Sequence, residues 1–390
     1  MMLNTAKIFL FLALFVTLEA ASQQSIFGGQ DIQSPEIGLN NTVIFRILAP
    51  EAKEVKLSGD WMPAQGWTPG TEAMTKNENG VWTYTTSPLL PELYSYFFIV
   101  DGIRTPDLNN PFLIRDVASV TNIFLIEDAQ SGLYKVKKVP HGTVRRSWYD
   151  APSLGMQRRI TIYTPPGYEE SNEKYPVLYL LHGAGGDEEA WISLGRTAQI
   201  MDNLIALGKA KPMIVVMPNG NVIQDAAPGE GSDGFYKPQF MVAKTMDGTY
   251  EAGFSEIITY VETHFRAESK KSSRAIAGLS MGGFHAMHIS RYYPDAFDYI
   301  GLFSAAILPA QGAQSKVYEA IDATLMKQKE LGFKLYWIGM GKTDFLYQSG
   351  VDFRKKLDSM SFPYSYYESE GGHIWKNWRN YLSDFVPLLF

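Results

Sequence analysis

Cysteine is absent from all 390 residues. That one absence removes disulfides, thiol nucleophiles and thiolate metal sites. A basic run is also missing. With a net charge of -6, the chain is a poor ligand for nucleic acid or any other polyanion. No apolar run is long enough to span a bilayer comfortably. The nearest, Ile8 to Leu18, follows Lys7 and precedes the small residues Ala20-Ala21-Ser22. It reads as a cleaved signal peptide over residues 1–22, which leaves no integral membrane segment. The expectation is an exported protein, periplasmic or extracellular. A hydrophobic fraction of 45% can bury a large core, so disulfides are not needed to hold the fold. The 8 Trp and 22 Tyr suit such a core. They also suit a protein that stacks on sugar rings or aromatic acids.

Two regimes divide the remainder. From Thr42 to Ile126 short alternating runs are punctuated by turn pairs such as Asn79-Gly80 and Asp101-Gly102. That pattern predicts an all-β, immunoglobulin-like sandwich over 23–135. Val136 to Tyr149 reads as a connector. Beyond it, apolar strands (Tyr175 to Leu181, Met213 to Met217, Arg274 to Ala277) alternate with helical stretches. Alternation of this kind predicts an α/β domain over 136–390, a mainly parallel, doubly wound sheet. The long irregular stretch Val222 to Thr249 is expected to form a wall or lid of a site.

Chemistry concentrates in Gly278-Leu279-Ser280-Met281-Gly282-Gly283. G-x-S-x-G between a strand and a helix is a sharp turn that lifts a serine hydroxyl clear of the sheet. Serine is a weak nucleophile and needs a base. Of six histidines, His373 follows the last strand in Gly371-Gly372-His373, where ligands gather at the carboxyl ends of strands. The orienting acid belongs between serine and histidine in this chain order. Asp344, after the strand Lys334 to Gly339, fits, with Glu370 as the fallback. Backbone N–H groups for a developing oxyanion are expected from Met281 and from Gly183 or Ala184 in the loop His182-Gly183-Ala184-Gly185-Gly186. That loop lacks the Lys-Ser/Thr of a phosphate cradle. His285 and His288 lack the glutamate of a zinc motif and read as structural, so no metal is expected.

These motifs, with Tyr163-Thr164-Pro165-Pro166-Gly167-Tyr168, Trp191 and His373-Ile374-Trp375, resemble the esterase-D-like branch of the α/β-hydrolases. Within it they are most similar to carbohydrate esterase family 1, the bacterial feruloyl and acetylxylan esterases. Ser58-Gly59-Asp60-Trp61, Asn79-Gly80-Val81-Trp82 and Val100-Asp101-Gly102 resemble carbohydrate-binding module family 48. The resemblance implies acyl transfer through Ser280, His373 and Asp344 on acylated xylan or its oligosaccharides, without a cofactor. Trp191, Phe235, Tyr236, Tyr347 and Trp375 become candidates to hold a feruloyl ring or a pentose. Trp61 and Trp67 become candidates for glycan stacking, against packing as the plainer reading, and Trp82 reads as core. The alternatives are a siderophore esterase of the enterochelin type, which would want an arginine-rich pocket, and a glycan-binding protein without activity.

Overall fold

The computed structural model describes residues 32–63, 70–309 and 314–390. Residues 1–22, read as the signal peptide, and Trp67 lie outside them. The first lobe contains β1 (Glu36–Ile37), β2 (Val43–Leu48), β3 (Val55–Gly59), β4 (Thr71–Ala73) and β5 (Thr75–Lys76). It continues with β6 (Val81–Thr85), β7 (Glu92–Val100), β8 (Ile103–Thr105), β9 (Leu113–Asp116) and β10 (Ser119–Ile126). One sheet runs β1-β2-β6-β5 and the other β4-β3-β7-β10-β9, with β8 on β7. Period-two alternation sends Val43, Phe45, Leu57, Tyr96 and Phe98 between the sheets, each 0–1% exposed.

The second lobe is a single sheet in the order β11-β12-β14-β13-β15-β16-β17-β18. Its strands are β11 (Thr143–Ala151), β12 (Met156–Thr164), β13 (Val177–Leu181), β14 (Ile214–Pro218), β15 (Arg274–Leu279), β16 (Tyr299–Phe303), β17 (Leu335–Gly341) and β18 (Ser365–Ser369). From β14 to β18 the pairing is parallel, while β11 and β12 are antiparallel. The run Val-Leu-Tyr-Leu-Leu in β13 shows why its residues are apolar throughout. Val177, Tyr179 and Leu181 enter one core layer, and Leu178 and Leu180 enter the layer on the opposite face.

Helices cover both faces. In chain order they are α1 (Ala190–Ser193), α2 (Thr197–Ala206), α3 (Thr249–Ala252), α4 (Phe254–His264), α5 (Met281–Tyr292), α6 (Ile321–Leu331), α7 (Tyr347–Ser359) and α8 (Trp375–Phe385). Side chains of α4 to α7 pack into the first layer; those of α1, α2 and α8 pack into the second. Leu93 of β7 joins that second layer, so the two lobes share a core. Arg379 of α8 seals the join by donating to Glu92 Oε1 at 3.0 Å and to the Leu93 carbonyl at 2.9 Å. Among the described residues no helix is long and apolar enough to cross a membrane.

The connector expected over Val136 to Tyr149 is in its second half β11, paired with β12 from Thr143↔Thr164 to Ala151↔Met156. An edge strand carrying Arg145 and Arg146 toward solvent lacks the apolar pattern of a central one. Helix α6 also went unread, because only Leu325 and Gln328 of its eleven residues are buried.

Candidate active site

Ser280 stands between β15 and α5 at φ 53°, ψ -115°, a strained conformation for a residue with a side chain. The strain is held from outside. Its N–H donates to the Phe303 carbonyl at 2.9 Å, and its carbonyl accepts from Phe284 and Ala306 at 3.0 and 3.1 Å. The glycines around it are required by close approach. A Cβ on Gly278 would lie 2.3 Å from the Gly282 carbonyl oxygen, and one on Gly282 would lie 2.3 Å from that of Leu181.

His373 and Asp344 come from the loops that leave β18 and β17. These loops are laced together by Lys342 N–H to the Ser369 carbonyl and Thr343 N–H to the Gly371 carbonyl. His373 Nδ1 lies 2.9 and 3.1 Å from the two Asp344 carboxylate oxygens, and Asp344 Oδ1 also accepts from Leu346 N–H at 2.9 Å. The carboxylate therefore accepts a hydrogen bond from Nδ1–H, which leaves Nε2 with its lone pair. Phe345 and Trp378 flank the imidazole, with ring centroids 4.6 and 4.9 Å away.

Ser280, His373, Gly183 and Ala184 line one cavity of about 1010 Å3, at the upper end of the range for small-molecule sites. The long loop after β14 contributes Ala227, Pro228, Glu230 and Phe240 to its wall. The first lobe contributes Pro111 to Val117, a stretch without any motif that points to a site. Met281 opens α5 directly after Ser280.

His182 sits beneath this floor, 2% exposed. Its Nε2 accepts from Gly220 N–H at 2.8 Å, so the proton is on Nδ1, which donates to the Gly183 carbonyl at 2.8 Å. Burial pushes its pKa down from 6.5 to about 4, only partly offset by Gly183 and Asp187, so the ring stays neutral. Glu188 next to the loop is fully buried; that burial and neighbouring Asp187 push its pKa up to about 7. His182 reads in the sequence only as the first residue of a glycine loop, and Glu188 stands in no motif.

The proposed substrate aromatics divide. Trp375 lines the cavity. Trp191 does not: it is 1% exposed, its indole N–H donates to the Leu181 carbonyl at 2.9 Å, and it packs edge-on to Phe303 and Trp375. Phe235 is fully exposed, Tyr236 bonds to the Ala226 carbonyl, and Tyr347 bonds to Glu368; none of the three borders the cavity. Trp61 stacks on Phe45 at 5.6 Å and 13° and meets Tyr94 and Phe124 edge-on, which is packing within the sandwich. Trp82 is 8% exposed, its indole N–H on the Ala49 carbonyl. His285 is fully buried against Glu251 at 2.8 Å, and His288 accepts from Arg291. Glu370 is paired with Lys342 in solvent.

The second lobe has the α/β-hydrolase fold of solved esterases, and the first is an all-β module. The chain belongs to the family described as "Putative esterase", which matches residues 151–389; residues 31–112 match carbohydrate-binding module 48. That family is one of esterases. An endo-1,4-beta-xylanase/feruloyl esterase of Xylanibacter ruminicola is 34% identical over 277 residues, 69% of this chain and 36% of that protein. A solved ferulic acid esterase is 26% identical with a TM-score of 0.53, covering 63% of this chain and 97% of its own. The enterobactin esterase of Shigella flexneri aligns over 89% of this chain and 92% of its own with a TM-score of 0.61. At 15% identity that likeness is one of fold. The chain spans 36% and 40% of the length of the first curated relatives it matches.

Proposed function

We propose that the protein is an exported serine esterase that hydrolyses feruloyl or acetyl esters on plant cell-wall xylan. The observation that carries this reading is the convergence of a strained Ser280 and an Asp344-oriented His373 on one cavity. The xylan side rests on the Xylanibacter relative and the carbohydrate-binding-module match. In this reading Ser280 Oγ attacks the ester carbonyl while His373 Nε2 takes its proton. The oxyanion is met by the N–H groups of Met281 and of Ala184 or Gly183. The proton passes to the departing sugar oxygen as the C–O bond breaks. Water then attacks the acyl-enzyme, gives its proton to His373, and the acid leaves as Ser280 recovers its hydrogen.

A siderophore substrate is the weaker reading. A ferric catecholate is strongly anionic, yet of the arginines lining the cavity Arg115, Arg146 and Arg159 are each already paired with a carboxylate, and Arg196 donates to the Tyr134 carbonyl. The test is turnover of p-nitrophenyl acetate and methyl ferulate by the wild type and by Ser280→Ala. The reading expects both substrates to be cleaved and Ser280→Ala to be inert. Equal inertness of the two proteins sinks the enzyme assignment, and cleavage of acetate alone sinks the feruloyl one.

A further inference from the structure

The hairpin β9–β10 reaches from the module onto the loop that floors the active site. Asp116 pairs with Ser119, so its tip is the two residues Val117-Ala118. Such tips need positive φ at both residues or at the first alone, which favours Asn-Gly or a leading Gly. Val117 adopts φ 50° instead, an unfavourable state for a β-branched residue. What the valine supplies is contact. Its two methyl carbons lie 2.7 and 2.8 Å from where a Cβ on Gly185 would be, so only glycine, itself at φ 75°, fits beneath it.

Arg115 ties the same two parts together. One guanidinium nitrogen donates to the Val117 carbonyl at 3.0 Å, and another meets Asp187 Oδ2 at 2.5 Å. Asp187 is 4% exposed, and its other oxygen accepts from Glu189 N–H at 3.0 Å. Between these anchors lies the turn Gly183 to Gly186, closed by Gly186 N–H to the Gly183 carbonyl at 3.1 Å. His182 grips that carbonyl from the other side, and Asn221 Nδ2 donates to the Gly186 carbonyl at 2.8 Å. A trans peptide is planar, so fixing the Gly183 carbonyl turns the Ala184 N–H the opposite way. Among the described residues that N–H has no hydrogen-bond partner.

We propose that the module is a working part of the oxyanion loop: Arg115, acting through Asp187, is a positioning residue for the Ala184 N–H. The module then supports turnover of a small ester that carries no sugar at all. This rests on the reading of Ser280 as an esterase nucleophile. The whole chain is assayed with p-nitrophenyl acetate as wild type, Arg115→Ala, Asp187→Asn, the double variant and Arg115→Lys. Each single loss is expected to lower kcat about tenfold at unchanged KM, short of the hundredfold or more that losing an oxyanion donor costs. The double variant should fall no further than the singles, because both break one linkage. Arg115→Lys should recover most of kcat, and it carries the test if Arg115→Ala melts early. Wild-type kcat in Arg115→Ala, an effect on KM alone, or losses that multiply in the double variant would each overturn the inference. An inert wild type overturns the esterase reading and this inference with it. An active wild type indifferent to Arg115→Ala overturns this inference alone.

Discussion

Both lobes pack aromatic rings in their cores, but the catalytic lobe also sets some at the cleft. In the module, Phe45, Trp61, Tyr94, Tyr96 and Phe124 turn inward and pack on one another at centroid distances of 4.7–5.8 Å. In the catalytic lobe, Phe345, Trp375 and Trp378 gather around His373 and the cavity. Among the described residues, the one large aromatic that the module brings to the cavity is Phe112, 67% exposed. Two of the residues held at positive φ stand at the cleft, Ser280 at its floor and Val117 at its rim. A sandwich that spends its rings on its own core has little left for a flat sugar platform on its sheets. What it brings to the cleft is the stretch Pro111 to Val117.

The sharpest way to break this comparison is at the dyad. Asp344→Asn keeps the shape but holds the wrong imidazole tautomer. It should lower kcat about ten-thousandfold with little loss of stability, measured on p-nitrophenyl acetate beside a thermal melt. A modest loss would mean that another acid serves His373.

Trp61→Ala removes a ring from the module core and should cost about 3 kcal/mol in urea unfolding. kcat on a small ester should be unaffected in the protein that remains folded. A fully stable Trp61→Ala that lost affinity for xylan would reverse the assignment and make Trp61 a glycan platform.

His182 offers a pH test on the catalytic side. Its pKa in the fold, about 4, lies below the unfolded value of 6.5. As pH falls between those limits the unfolded chain takes up a proton that the folded chain refuses, so the stabilisation present above 6.5 is lost toward 4. His182→Gln lacks that titration. The stability gap between wild type and variant should therefore narrow as urea midpoints are taken from neutral pH to about pH 5. A constant gap would contradict a neutral, buried His182.

The smallest effect is expected at the rim. Phe112→Ala should raise KM for methyl ferulate about threefold, in keeping with the loss of one aromatic contact, and leave p-nitrophenyl acetate untouched. Identical changes on both substrates would show that Phe112 supports the fold instead.

How much of this could be read in the chain depended on distance along it. Ser280, Asp344 and His373 each sit in a short motif at a strand end, where turn chemistry leaves a local mark. Residues 115 and 187 are 72 positions apart, and an arginine within a short strand carries no sign that its partner floors an active site. Trp191 misled for the converse reason. It follows the glycine loop in sequence, as a substrate contact would, but α1 turns its indole inward onto the Leu181 carbonyl. β11 was hidden because an edge strand faces water and has no need of an apolar pattern.

The central claim is that acyl transfer runs through Ser280. Rapid quenching of the wild type with methyl ferulate, followed by peptide mass spectrometry, tests it most directly. The account predicts a feruloyl adduct on the peptide containing Ser280, absent from Ser280→Ala, whose turnover is lost as well. An adduct on another residue, or turnover that survives in Ser280→Ala, would contradict it.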